Sequence, residues 1–224
     1  QPASNPTISG GTTTAAFTTT YGTSSANQSF AISGTNLTDN IVATAPTGFE
    51  ISADGTSYTT SLTYVQTAGN ASGTVYIRLT ATANAGAYNN QNIVLTSTGA
   101  SSVSITTPAS GNTITSKALT VSGLTGVSKV YDRTTTATFT GTPSLSGFVN
   151  SDSYTIAGTP VATFATATVG TAKTVTINGY NVSSANYSVS TPTVTADITA
   201  ATLTLNGAAV TSKIYDGTTT ATIT

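Results

Sequence analysis

Seven carboxylates are all that this chain offers for acid–base chemistry: Asp39, Glu50, Asp54, Asp132, Asp152, Asp197 and Asp216. Hydrolysing a glycosidic bond needs two carboxyls about 5–10 Å apart, one of them with a raised pKa. Glu50 and Asp54 lie close together in "FEISADG". That stretch reads more simply as a strand end entering an Asp-Gly hairpin turn, so both acids are assigned to structure. The chain has no His and no Cys, which excludes Ser–His and Cys–His nucleophiles and thiolate or imidazole metal sites. It contains neither a DxDxDG calcium loop nor a glycine-rich phosphate cradle. No cofactor is expected, apart from the option of a Ca²⁺ ion held by backbone carbonyls at a domain junction. The residues do not describe an enzyme. Lys117, Lys129 and Lys173 raise the option of a Lys–Asn cross-link beside an acid, but their spacing identifies no partner. Strand-end lysines that block sheet-to-sheet pairing account for them more simply.

The elements that must position these residues follow from composition. Of 224 residues only 6% are charged and 38% are hydrophobic, with ten Tyr and six Phe. A net charge of −1 gives no basic field for nucleic acid or an anionic membrane. No apolar run reaches the roughly 18 residues of a membrane span. Thr, Val and Ile favour pleated strands, because β-branched side chains lose rotamer freedom in a helix. The absence of Cys and Met suits a long-lived molecule outside the cell.

One ten-residue phrase occurs twice, as "KVYDRTTTAT" from Lys129 and "KIYDGTTTAT" from Lys213, 84 positions later. At the same offset Ile114 meets Ile198, Thr115 meets Thr199, Leu119 meets Leu203 and Gly123 meets Gly207. "ITSKALTVSG" and "ITAATLTLNG" are therefore one element, each opening a module of a tandem array. The expected domains are 1–115, 116–199 and an unfinished further module at 200–224. Within the second, short alternating runs separated by Gly, Pro, Asn and Ser predict a small antiparallel sandwich. In "TVTADIT", Val194, Ala196 and Ile198 should face inward, and Thr193, Thr195 and Asp197 outward. The first domain does not match the repeat but reads alike. "TVYIRLT" puts Val75, Ile77 and Leu79 inside and Tyr76 and Arg78 outside. The fold class expected is all-β, as immunoglobulin-like antiparallel sandwiches arranged head to tail.

Lys129, Tyr131 and Asp132, with Lys213, Tyr215, Asp216 and Gly217, are read as a structural motif. The tyrosines should bury a ring, and the aspartates should shape a turn. Arg133 stands where the second copy has Gly217. A positive φ there would cost Arg133 about 1 kcal/mol, whereas a turn closed by Asp132 would accept either residue.

The two phrases, each preceded by "ALTV-G" or "TLTL-G", resemble the YDG-type repeats of very large bacterial surface proteins. "APTGFEISADGTSYTTSLT" and "TVYIRLTATANAGAY" resemble the domain that often precedes such repeats in adhesin-like proteins of the Bacteroidetes. The resemblance implies secreted, cell-surface adhesin or filament material and brings no catalytic residues.

The function expected is a structural stalk, an extracellular spacer built from modules joined by a few residues each, with other copies or neighbouring modules as partners. Two alternatives stand beside it. The first domain could bind surface glycans through exposed aromatics, with Tyr58, Tyr64, Tyr76 and Tyr88 as candidates and Tyr76 and Tyr88 as the contacts to test. Residues 200–224, too few to bury a core, either begin a module that the natural chain completes or add strands to a neighbouring molecule. Five N-x-Ser/Thr sequons, at Asn27, Asn36, Asn70, Asn181 and Asn186, are what chance supplies in so Asn-, Ser- and Thr-rich a chain.

Overall fold

The computed structural model describes residues 4–13 and 15–223, and none of them is helical. In chain order the first strands are β1 (Thr7–Gly10), β2 (Thr18–Thr20), β3 (Gln28–Thr35), β4 (Ile41–Thr44), β5 (Phe49–Ser52) and β6 (Ser61–Tyr64). They are followed by β7 (Ala71–Leu79), β8 (Gly86–Ala87), β9 (Asn92–Thr96), β10 (Val103–Thr106) and β11 (Thr113–Thr115). The remainder are β12 (Lys117–Val127), β13 (Lys129–Val130), β14 (Thr136–Ser146), β15 (Ala157–Phe164), β16 (Gly170–Asn181), β17 (Tyr187–Val189) and β18 (Thr193–Thr199). The chain is all-β.

Two four-stranded antiparallel sheets, ordered β1-β3-β7-β5 and β10-β9-β4-β6, bury their inner rows in one cluster. The expected alternation in β7 is seen directly, with Val75, Ile77 and Leu79 fully buried and Tyr76 and Arg78 half-buried. The Asp-Gly turn departs from a simple hairpin. Ile51 and Thr59 bridge across it, but β5 and β6 then belong to different sheets. The turn reverses the chain for one bridge only before the strand crosses over.

A third sheet, β2-β11-β8, contains a parallel pair, with Thr113, Ile114 and Thr115 opposite Thr18, Thr19 and Thr20. Parallel neighbours require a long connection, so residues far apart in sequence meet here. A fourth sheet has the order β13-β18-β16-β15-β14-β12-β17, with parallel pairs at both ends, β13 with β18 and β17 with β12.

The chain divides into two compact units. Unit 1 comprises Gln1–Ser122, Pro143–Thr159 and Gly179–Pro192. Its core continues from the first two sheets through Ile114 into Leu119 and Tyr187, with Leu145, Phe148, Val149, Tyr154 and Val182 packed against it. Packing therefore groups part of the region after residue 115 with the residues before it. Unit 2 comprises Gly123–Thr142, Pro160–Asn178 and Thr193–Thr224. Its buried row is Ala137, Ala162, Phe164, Val175, Ile177, Ala196 and Ile198. In β18, Ala196 and Ile198 are buried and Val194 half-buried, while Thr193 and Thr195 are exposed, as the alternation predicts.

Within unit 2 the backbones of β12 and β14 touch. Gly123 and Gly141 both have positive φ, +83° and +106°, and a β-carbon on Gly141 would collide with the Gly123 carbonyl oxygen. Only glycine fits so close an approach with that backbone.

Candidate functional site at the repeated tyrosine

The repeated phrase folds into a closed cage. Lys129 Nζ donates to Asp132 Oδ1 at 2.8 Å, to the Thr134 carbonyl at 2.8 Å and to Thr134 Oγ1 at 2.9 Å. Asp132 Oδ1 also accepts from Thr134 N and Thr134 Oγ1, both at 2.9 Å. The Lys129 ammonium, followed by the Thr134 donors, holds the Asp132 carboxyl down at about 2. The second copy repeats the cage. Lys213 Nζ lies 2.9 Å from Asp216 Oδ1 and 2.7 Å from Thr218 Oγ1, and Thr218 N donates to Asp216 at 2.9 Å. There too the lysine and then the threonine lower the Asp216 pKa. The aspartates shape the turn as expected. The signal missed in the sequence was the lysine three positions before each aspartate, which closes the turn; Lys129 does so from β13, the edge strand of its sheet.

Two further expectations are corrected. Neither tyrosine of the motif buries its ring: Tyr131 is 39% exposed and Tyr215 94%. Strand β13 ends at Val130, and among the described residues no element covers the ring beyond it to the degree seen for a core side chain. The turn does require a left-handed residue, with φ of +71° at Arg133 and +75° at Gly217. Arg133 therefore carries the strain.

Residues 115–196 match the family model of the YDG domain. These residues are a YDG domain. No curated protein is significantly similar to the chain.

A second tyrosine site lies in unit 1, where the YDG domain meets the sheets that precede it. Tyr21, 5% exposed, donates from its hydroxyl to Asp152 Oδ2 at 2.9 Å, and Tyr187 donates to the same oxygen at 2.9 Å. The Tyr21 and Tyr187 rings meet edge to face at 5.4 Å, and Phe148 meets Tyr187 at 5.3 Å. Val149 packs over Gly22 and donates its N–H to the Tyr187 hydroxyl at 3.0 Å. Burial raises the Tyr187 pKa, and the Asp152 carboxylate raises it further. Asn186 extends the joint by accepting from Ala85 N at 2.8 Å and donating to Asn84 Oδ1 at 3.0 Å. Ser116 alone separates β11 from β12. Composition gave no hint of Tyr21, because its partners lie 131 and 166 positions downstream.

The other acids hold local structure. Glu50 accepts from Arg78 Nε at 2.7 Å. The Arg78 guanidinium stacks 3.5 Å over the Tyr58 ring. Asp54 caps its turn by accepting from Ser57 N and Thr56 N at 2.8 Å each, and those bonds, Ser57 first, lower its pKa. Asp39 accepts from Asn40 N and Thr98 Oγ1, which lower its pKa in that order. Asp197 accepts from Ala172 N at 2.8 Å. Lys173 donates to Thr166 Oγ1 and Thr168 Oγ1, and Lys129 to its own turn, so neither ammonium is given an Asn partner by these bonds.

Of the proposed glycan contacts, Tyr88 meets Phe49 edge to face at 6.2 Å and donates to the Asn84 carbonyl at 2.8 Å. Tyr64 donates to the Thr74 carbonyl at 2.7 Å. Tyr76 lies on the outer face of β7, opposite Ser29 and Ser52. All four candidates, Tyr58 included, are half-buried. Among the described residues no three of His, Cys, Asp and Glu gather as a metal centre.

Proposed function

We propose that the chain is a structural segment of a repetitive bacterial surface or extracellular filament protein, an adhesin stalk whose sandwich modules, immunoglobulin-like and stacked head to tail, hold other parts away from the cell. The observation that carries this reading is the joint at Tyr21. The YDG domain shares one core with the residues before it and is pinned there by Asp152, Tyr187 and Asn186, with a single residue between β11 and β12. A joint of this kind suits a molecule that must transmit position along its length. The carboxylates serve turns, an ion pair and a joint, which suits a spacer better than a catalyst. The extracellular location rests on the resemblance and on a composition free of Cys and Met.

The test is the native protein. Its mass should be several-fold larger than 22.2 kDa, and microscopy or scattering should show a thin rod. A compact envelope of any mass would sink the reading.

A second reading, strand addition to a neighbouring molecule, draws support from residues 200–224. They expose Leu203 at 94%, Leu205 at 84% and Ile214 at 92%. A native mass near 22.2 kDa in a concentration-dependent polymer would favour it.

A further inference from the structure

The joint at Tyr21 and the repeated phrase are the same device. In the first, Thr19 and Thr20 lie parallel to Ile114 and Thr115, the Tyr21 N–H donates to the Thr115 carbonyl at 2.9 Å, and Thr115 Oγ1 donates to the Thr19 carbonyl at 3.2 Å. In the second, Lys129 and Val130 lie parallel to Ile198 and Thr199. The Tyr131 N–H donates to the Thr199 carbonyl at 2.8 Å, and Thr199 Oγ1 donates to the Lys129 carbonyl at 3.4 Å. Both turns carry a closing bond, to a carbonyl two residues past Tyr21 and three past Tyr131. Two residues before each tyrosine, Thr19 Oγ1 reaches the Thr23 carbonyl and Lys129 Nζ reaches the Thr134 carbonyl. Ile114 and Thr115 become Ile198 and Thr199 at the 84-residue offset.

One difference remains. Tyr21 is 5% exposed, with the Tyr187 ring edge to face on it and Asp152 on its hydroxyl, both from the YDG domain, while Val149 of the same domain packs on the neighbouring Gly22. Tyr131 occupies the same position at the exit of that YDG domain, and it is 39% exposed beside Val130 at 58%. The residues after Thr199 repeat those after Thr115, with Leu203 in the place of Leu119.

We propose that Tyr131 is an inter-module docking residue, and that its partner is a further YDG module following Thr199. That module seats an aromatic ring on Tyr131 and a carboxylate on its hydroxyl, as Tyr187 and Asp152 do for Tyr21. The tyrosine of the YDG phrase is then a socket for the next module and not a core residue of its own. Tyr215 repeats the socket one module later. This deepens the array reading and rests on it.

The test extends the full chain by appending a second copy of residues 141–199 after Thr224, which completes the module begun at residue 200. Tetranitromethane nitrates accessible phenols, and peptide mass spectrometry gives each tyrosine's rate. Tyr131 should react in the 224-residue chain and at least tenfold more slowly in the extended one, while Tyr21 stays slow in both. Replacing the appended copy's aspartate with alanine, as Asp152→Ala would do in the first, should restore much of the Tyr131 rate. An unchanged Tyr131 rate in an extended chain whose Leu203 amide is protected from hydrogen exchange overturns the proposal. So does failure of the appended module to fold, because a seat like that at Tyr21 would stabilise it. A thin native rod with a reactive Tyr131 would remove the socket and leave the array. A compact native molecule would remove the array, whatever the nitration rates.

Discussion

Asp152 accepts two phenol hydrogen bonds on one oxygen, from Tyr21 and Tyr187 at 2.9 Å each, so a single carboxylate ties together residues 166 positions apart. Hydrogen bonds to a charged group contribute about 1.5–3 kcal/mol each, and an orphaned buried hydroxyl costs about 1–3 kcal/mol. Asp152→Ala should therefore destabilise unit 1 by roughly 3 kcal/mol, and Tyr21→Phe by about 1–2 kcal/mol, in urea denaturation. The double variant should lose less than the sum, because both changes break one network. Strict additivity would mean that the joint does not act as a unit.

Alkaline titration should reach the same joint. Burial raises the Tyr187 pKa above its ordinary value of 10.0, and the neighbouring carboxylate adds to the rise. The folded state therefore keeps its phenol proton where the unfolded chain has lost it. The stability from this group is complete below pH 10 and disappears as pH climbs through the folded value. Burial acts in the same direction on Tyr64 and Tyr88. Thermal midpoints should fall steeply above about pH 10, and the fall should be shallower in Tyr187→Phe.

Acid should loosen the cage at the other end of the scale. Lys129 holds the Asp132 carboxyl at about 2 against an ordinary 3.8. A depressed acid contributes stability that is present above pH 3.8 and lost as pH falls toward 2. Carbon-detected NMR of the carboxylate should show the low titration, and Lys129→Met should move it back toward 3.8. An unmoved titration would remove the lysine from the account.

Arg133 stands in the left-handed region at φ +71°, where the second copy has glycine at +75°. Arg133→Gly should stabilise unit 2 by about 1 kcal/mol and Arg133→Ala should not. Equal effects from the two would point to the lost charge instead of the backbone.

Aligned leucines should respond unequally. Leu119 is completely buried and Leu203 is 94% exposed. Leu119→Ala should cost about 2–5 kcal/mol, while Leu203→Ala should fall within about 0.5 kcal/mol of the parent in equilibrium unfolding.

The sequence carried the fold class well because alternation is a local property. Val75, Ile77 and Leu79 were visible as an inner row, as were Ala196 and Ile198. The repeat was legible for the same reason, and so was the turn-forming role of Asp132. Tyr21 was not legible, because its environment comes from a parallel pairing of β2 with β11 and from residues in a later domain. No periodicity within "TTTYGT" reports either. Tyr131 was misjudged because a tyrosine in an apolar strand end normally packs inward, whereas here β13 stops one residue short of it. The Lys–Asp pairing was not legible because edge protection, which the place of Lys129 on edge strand β13 fits, already accounts for a strand-end Lys.

Gly207 already has a φ of +78°, matching the +83° of Gly123, although among the described residues a β-carbon there would meet nothing within 4 Å. Further along, Val210 and Ile223 bridge antiparallel. Gly207 thus holds the backbone conformation that, at Gly123, accompanies the close approach of the Gly141 main chain. Were a further module to dock after Thr199 as proposed, this glycine would already hold the φ that Gly123 uses.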